Sequence, residues 1–161
     1  CHLKRVWNIT NTAIYSLISF DRNNVPNINI CSYVSVISLK PKLYLVAIEK
    51  TSKTHKNLSE NSFCVLQILS SDNISIVKYV GKKSGRKTDK INYLKKRNLL
   101  ALWQNKEILK KSSGIIFLNK IDTLETIGDH TLFIFEIQKS KTINEYNILT
   151  FNKLIENKVI L

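Results

Sequence analysis

Apolar positions in this chain fall into short, separated runs, most with the two-residue rhythm or unbroken character of β-strands. TAIYSLISF (12–20) is rich in β-branched and aromatic residues, and DRNNVP (21–26) follows it with turn residues. NINICSYVSVIS (27–38) alternates in part: Ile28, Ile30, Val34 and Val36 share a face with Ser32 and Ser38. LYLVAIE (43–49) is almost continuously apolar, the pattern of a strand buried on both faces. FCVLQIL (63–69), GIIFLNKIDTLETI (114–127) and TLFIFEI (131–137) complete the set. The last two flank Gly128-Asp129-His130, a short connection that predicts a hairpin.

Predicted helices are short and peripheral. Thr54 caps one over 55–62, and Ser71 or Asp72 caps one over 73–80 with Ile74 and Val77 turned inward. Residues 89–102 carry Ile91 and Leu94 on one face, and 152–161 form a last helix or strand. Strands mostly in hairpin order, with helices inserted between them, predict an antiparallel barrel or sandwich with helical additions, not a regular βαβ alternation. One domain over residues 1–161 is the expected organisation.

Composition adds three constraints. The 161 residues are 43% hydrophobic and 23% charged, so the chain buries a core without needing disulfides. Cys1, Cys31 and Cys64 form no CxxC pair, and with His2, His55 and His130 they give no zinc spacing; buried thiols in a reducing compartment and no metal site are expected. No run approaches the roughly 18 apolar residues of a membrane span, and the N-terminal CHLKRVWNIT lacks the apolar stretch of a signal peptide, so the expected setting is cytoplasmic.

Charge is the most informative of these numbers. Lys and Arg number 25 against 12 Asp and Glu, a formal net charge of +13 that attracts polyanions or phosphate-bearing ligands. The lysines are spread in ones and twos, which equally fits a solvated surface. Nucleic-acid binding rests on charge alone: no RNP-like, helix-turn-helix or zinc pattern occurs, and Trp7, Trp103 and most Tyr and Phe lie in apolar surroundings.

Four stretches carry candidate chemistry. GKKSGRKTDK (81–90) fits neither a Walker A loop nor a dinucleotide fingerprint. Its glycines allow close backbone approach to an anion, Ser84 offers a hydroxyl, and Lys82, Lys83, Arg86, Lys87 and Lys90 supply charge. An exposed basic loop before a helix capped by Thr88 is the alternative. AIEKTSKTHKN (47–57) ends a strand and leads Lys50, Thr51, Ser52, Lys53 and Thr54 into a helix N-terminus, a second anion site or plain capping by Ser52 or Thr54. In NICSYVS (29–35), Ser32 and Ser35 interrupt a strand on opposite faces, lining either a ligand or a solvated edge. Asp129 beside His130 either tunes an imidazole or caps a turn, and no Ser-His-Asp triad is present.

In order along the chain, NVPNINICSYVSVISLKPKLYLVAIEKTSKTHKNLSENSFCVLQIL, GKKSGRKTDK and GDHTLFIFEI resemble the flavin reductase-like family of FMN-binding split barrels, flavoredoxin-type proteins included, over roughly residues 10–140. The resemblance implies an antiparallel six-stranded FMN-binding split barrel with added helices, a homodimer, and FMN near the subunit interface. It implies Asn29, Ile30, Cys31 and Ser32 along the isoalloxazine and ribityl chain, with Lys50, Thr51, Ser52 and Thr54 at the phosphate. Lys83, Ser84, Gly85 and Lys90 complete that clamp, and His130 of the GDH motif lies near the flavin and, in reductase members, near the nicotinamide of an NAD(P)H donor. Phe135 replaces the glycine of the family's FIGEV segment, which implies a narrower space for a nicotinamide, and Lys40-Pro41-Lys42 keeps one of two usual prolines. The implied activity is an oxidoreductase of flavin-reductase type. A non-catalytic FMN carrier and, less well supported, a basic nucleic-acid-binding barrel are the alternatives.

Overall fold

The computed structural model describes residues 3–160; Cys1 and His2 lie outside them. Nine strands form. β1 (Tyr15–Phe20), β2 (Pro26–Cys31), β3 (Val34–Leu39), β4 (Lys42–Glu49), β5 (Phe63–Ile68), β8 (Gly114–Leu124) and β9 (His130–Thr142) make one antiparallel sheet in the order β2-β1-β5-β8-β9-β4-β3. The other two, β6 (Leu100–Trp103) and β7 (Lys106–Leu109), form a separate hairpin. The helices are α1 (Lys53–Glu60), α2 (Ile74–Lys82), α3 (Lys90–Lys96) and α4 (Phe151–Glu156).

The main sheet has seven strands where six were expected. The segment read as one strand over 27–38 breaks at Ser32-Tyr33, and its halves join opposite edges of the sheet. β2 pairs only with β1 and β3 only with β4, so the sheet curls round until its two edges are linked by two residues, without a ladder closing it. Two residues span at most about 7 Å of extended chain, which forces the edges together at this point. Tyr33 anchors the corner by accepting a backbone hydrogen bond from Ala47 at 3.0 Å.

The sheet has a core on each side. Leu17, Cys64, Leu66, Ile116, Leu118, Phe133 and Phe135 pack inside the curl with Val46 and Ile48. Ile18, Val65, Ile115 and Phe117 point outward beneath α2, α3, α4 and the β6–β7 hairpin. Strands β1, β5 and the first half of β8 are therefore buried on both faces, Ser16 and Ser19 of β1 included. For β4, where burial on both faces was expected, the outcome differs: Val46 and Ile48 are buried, while Leu43, Leu45 and Ala47 on the opposite face stay partly exposed.

Local capping departs from expectation at several helix starts. Ser52, not Thr54, caps α1 by accepting from the His55 N–H at 3.1 Å, and Thr54 is buried. Ser70 caps the 3-10 turn 71–73 that leads into α2, in place of Ser71 or Asp72. Asp89, one residue past Thr88, caps α3 through the Asn92 N–H at 2.9 Å. Ile91 and Leu94 are buried as expected, but the helix stops at Lys96: Asn98 adopts a positive φ of 56°, and the chain turns into the hairpin. Buried Gln67 pins that hairpin, accepting from Leu109 N–H at 2.9 Å and donating to the Leu109 carbonyl at 3.0 Å. In the tail, Phe151–Glu156 is helical, capped by Thr150. Among the described residues, no helix is long and apolar enough to cross a membrane, and no cluster of His, Cys, Asp and Glu is placed to hold a metal ion.

Candidate functional site

An edge strand leaves half of its backbone N–H and C=O groups without ladder partners. Along the free edge of β2, beside the unclosed split, three cavities meet. Two of them collect most of the residues singled out in the sequence.

The first, of about 280 Å³, opens between the β4–α1 corner and the loop 83–89. Thr51, Ser52 and Thr54 line it from the corner, and Ser84 and Gly85 from the loop. Asn27 and Asn29 form its floor on β2. Four lysines, Lys53, Lys82, Lys83 and Lys90, face it with one carboxylate, Glu49. Among the described residues none of these lysines forms a salt bridge.

Lys90 stands apart from the other three. It is 3% exposed, and its Nζ has a single 3.4 Å hydrogen bond, to the Val80 carbonyl. Burial lowers its pKa to about 8 from an ordinary lysine value of 10.5. A nearly buried ammonium with one long hydrogen bond is costly unless an anion joins it.

The walls are tied to one another. The Arg86 Nε donates to the Thr51 carbonyl at 3.0 Å, fastening the loop to the corner. Within the loop, the Ser84 hydroxyl accepts from the Arg86 N–H at 3.2 Å, and the Ser84 carbonyl accepts from the Thr88 N–H at 2.9 Å. Gly85 lies so close to buried Asn27 that a Cβ there would overlap the Asn27 carboxamide. That carboxamide in turn reaches the Thr54 hydroxyl at 3.5 Å. Ser52 already donates to the Glu49 carbonyl at 2.7 Å while capping α1, so its side chain shapes the corner more than it offers a free donor.

The second cavity, about 240 Å³, continues from the first past Asn29, Glu49 and Gly81. Ile30, Cys31, Ser32 and Tyr33 line it along the split, with Ala47, Ile48 and His130 opposite. His130 opens β9 directly across from Glu49. Its Nδ1 is 2.6 Å from Asp129 Oδ1, and its ring lies 5.3 Å from that of Tyr33. The contact with His130 lowers the Asp129 pKa below the ordinary carboxylate value. Cys31 is no nucleophile here: burial pushes its pKa up to about 12.

Of the residues predicted to hold FMN, Lys50 alone lines neither cavity, and the candidate cations Arg86 and Lys87 also lie outside both. Lys50 points to the β8–β9 turn, donating to the Thr126 carbonyl at 2.7 Å and lying 3.8 Å from Glu125. Phe135 does not narrow the site either; it is fully buried inside the curl, 6.4 Å from Phe133. Ser35 is exposed on β3, away from both cavities. Asn27, Glu49 and Tyr33 were not singled out. Asn27 had a legible signal, since it shares with Asn29 the face opposite Ile28 and Ile30. The apolar surroundings expected for Trp7 are absent too: it is 69% exposed, with Arg5 6.0 Å above its ring.

The flavin reductase like domain model matches residues 10–153. The chain belongs to this family. Known structures share its fold. The styrene monooxygenase flavin reductase of Pseudomonas putida S12 superposes with a TM-score of 0.75 at 16% identity, over 94% of this chain and 92% of that one. Flavoredoxin from Methanosarcina acetivorans gives 0.73 at 20% identity, over 91% and 78%. A protein of Sinorhizobium meliloti 1021 gives 0.76 at 16% identity over 89% of this chain, which spans only 48% of that longer one. No curated protein sequence matches the chain. The fold is thus the flavin reductase-like barrel, left open at the split.

Lys90 gives the site a measurable signature. Between about pH 8 and 10.5 the unfolded chain holds the Lys90 proton that the folded chain releases, so raising pH through this window stabilises the folded state. Lys90→Met is expected to be more stable than the wild type below pH 8 by on the order of 3 kcal/mol. That advantage should shrink toward pH 10.5 in urea unfolding; a pH-independent gap would refute the burial of an unpaired ammonium.

Proposed function

We propose that the two joined cavities hold FMN and that the protein is an oxidoreductase of flavin-reductase type. The observation that carries this reading is the set of four lysines, one nearly buried, around a single cavity without a salt-bridge partner among the described residues. A terminal phosphate of about −1.5 to −2 charge matches it. Membership in the flavin reductase like domain family supports the same ligand.

The residues fit the parts of FMN in order. Lys83, Ser84, Gly85 and Lys90 face Thr51, Ser52 and Thr54 across the phosphate cavity, and Lys53 and Lys82 add charge. Asn29 and Glu49 stand at the junction, where their oxygens accept from ribityl hydroxyls. The isoalloxazine lies along Ile30, Cys31 and Ser32, where the free β2 edge offers backbone groups to its polar rim. When bound, the flavin supplies hydride and electron transfer; the chain orients it, balances its charge and shields one face from water. His130, held by Asp129 at the open side, positions the electron donor, which we assign to the nicotinamide class.

A homodimer completes the reading. Leu45 and Ala47 of β4 sit beside Ile134 and Leu132 of β9 in register, continuing to Leu124 of β8, 43% exposed. This partly exposed apolar face borders the cavity at Ala47, and a second copy covers it. Light scattering on the purified protein should give twice the chain mass, and Leu132→Lys should give the monomer; a wild-type monomer at micromolar concentration would contradict the assignment.

The phosphate assignment is tested by comparing ligands. Lys90→Met, and separately Lys83→Ala with Ser84→Ala, should weaken FMN at least tenfold while changing riboflavin less than twofold, read by flavin fluorescence. Equal losses for both ligands would remove the clamp. FAD bound tenfold more tightly than FMN would make it the ligand.

A further inference from the structure

The third cavity at the split has no part in the flavin reading. It holds about 220 Å³ and meets the isoalloxazine cavity at Ile30, Cys31, Ser32 and Gly81. Its walls are apolar: Val77 of α2, Phe151 and Leu154 of α4, and Val159. Two exposed lysines, Lys78 and Lys82, stand at its rim, and among the described residues neither forms a salt bridge. Two of the walls, Leu154 and Val159, lie past residue 153, where the match to the family model ends.

Size and chemistry narrow the occupant. An apolar protein cavity of about 150 Å³ stays dry and takes up benzene, so this one has room for one six-membered ring with a substituent. Phe151 offers an aromatic surface to such a ring, worth about 0.5–1.5 kcal/mol beyond its buried area. The cationic rim favours a negative substituent, because a carboxylate seated at the mouth keeps contact with water and with Lys78 while the ring is buried. A fatty chain would need a longer tunnel, and a neutral ring would gain nothing from the rim.

We propose that this cavity is a binding site for a monocyclic aromatic carboxylate of benzoate size, seated against the edge of the flavin. The cavity stands on its own geometry; only its neighbour, the flavin ring, rests on the function proposed above. A ligand there touches Cys31 and Ser32, which also line the cavity that holds His130, so it alters the environment of the flavin ring; it shares Lys82 with the phosphate cavity but reaches neither Lys83, Ser84 nor Lys90.

The test uses the full chain, first without flavin, with benzoate and its neutral isostere benzamide as probes in calorimetry and ligand-observed NMR. Benzoate should saturate one site per chain at least threefold more tightly than benzamide, and 10 mM inorganic phosphate should not displace it. Leu154→Trp fills the cavity and should weaken benzoate at least tenfold while leaving FMN affinity within twofold. Should that variant fail to fold by circular dichroism, Val159→Phe gives the same reading. Lys78→Gln should erase the preference for benzoate over benzamide. Displacement by phosphate would place benzoate in the lysine cavity and overturn the proposal, as would failure to saturate or indifference to both filling variants. In the FMN-loaded protein, benzoate should shift the flavin absorption band. Benzoate binding by a chain that takes no FMN would refute the flavin reading alone, and FMN binding without benzoate would refute this proposal alone.

Discussion

The break at Ser32-Tyr33 is the constraint on which the rest of this molecule depends. It sends one polar-apolar segment to both edges of the sheet, so the two edges approach without pairing. A closed barrel would spend the outer β2 backbone groups on a ladder; here that edge has no strand partner, and the Ile30 N–H donates to the Asn29 side chain instead. All three cavities open beside that edge and share Gly81, the residue through which α2 passes close to Ile30. The fold thus places a ligand groove where a strand pair is missing.

Charge is then concentrated by packing. A net charge of +13 spread over a surface is weak recognition, screened within about 8–10 Å in salt. What distinguishes the cavity is that Lys90 is carried inside by the first turn of α3, while Arg86 and Gly85 fix the loop against Thr51 and Asn27. The cost of burying Lys90 is part of the folded state before any ligand arrives, so an anion that pairs with it relieves a cost as well as adding an attraction. The Ser52 hydroxyl of the corner is already engaged in capping α1, which leaves the lysines as the principal charged partners for a phosphate.

Much of this was legible in the sequence. The strands announced themselves through β-branched runs, but the unbroken apolar stretch of β4 marked a strand buried on one face, whereas β1, with Ser16 and Ser19, is buried on both. The two basic segments 50–54 and 83–90 were readable as partners by their order, and Thr51 to Thr54 meet Lys83, Ser84, Gly85 and Lys90 at the lysine cavity, while Lys50 and the stretch Arg86 to Asp89 stay outside it. Lys50 could not be told from its neighbours, because whether a side chain at a strand end turns toward a helix or a hairpin depends on register with β9. Likewise, Phe135 invited a reading as an obstacle, yet the two-residue period of β9 turns it, with Phe133, into the curl. The break at Ser32-Tyr33 was hidden because Ser32 and Ser38 keep the alternation going across it. The β6–β7 hairpin was hidden because Leu99 to Leu102 extend an apolar pattern that a helix also fits, and only the buried Gln67, contributed by a distant strand, decides the matter.

The measurement that tests this account most directly is the visible absorption spectrum of the freshly purified protein before and after equilibration with FMN, with any released cofactor identified by chromatography. A yellow protein is expected, or a colourless one that takes up one FMN per chain and releases it intact on heating. A protein that is colourless as purified and fails to retain FMN would contradict this expectation, and the lysine cavity would then belong to another anion.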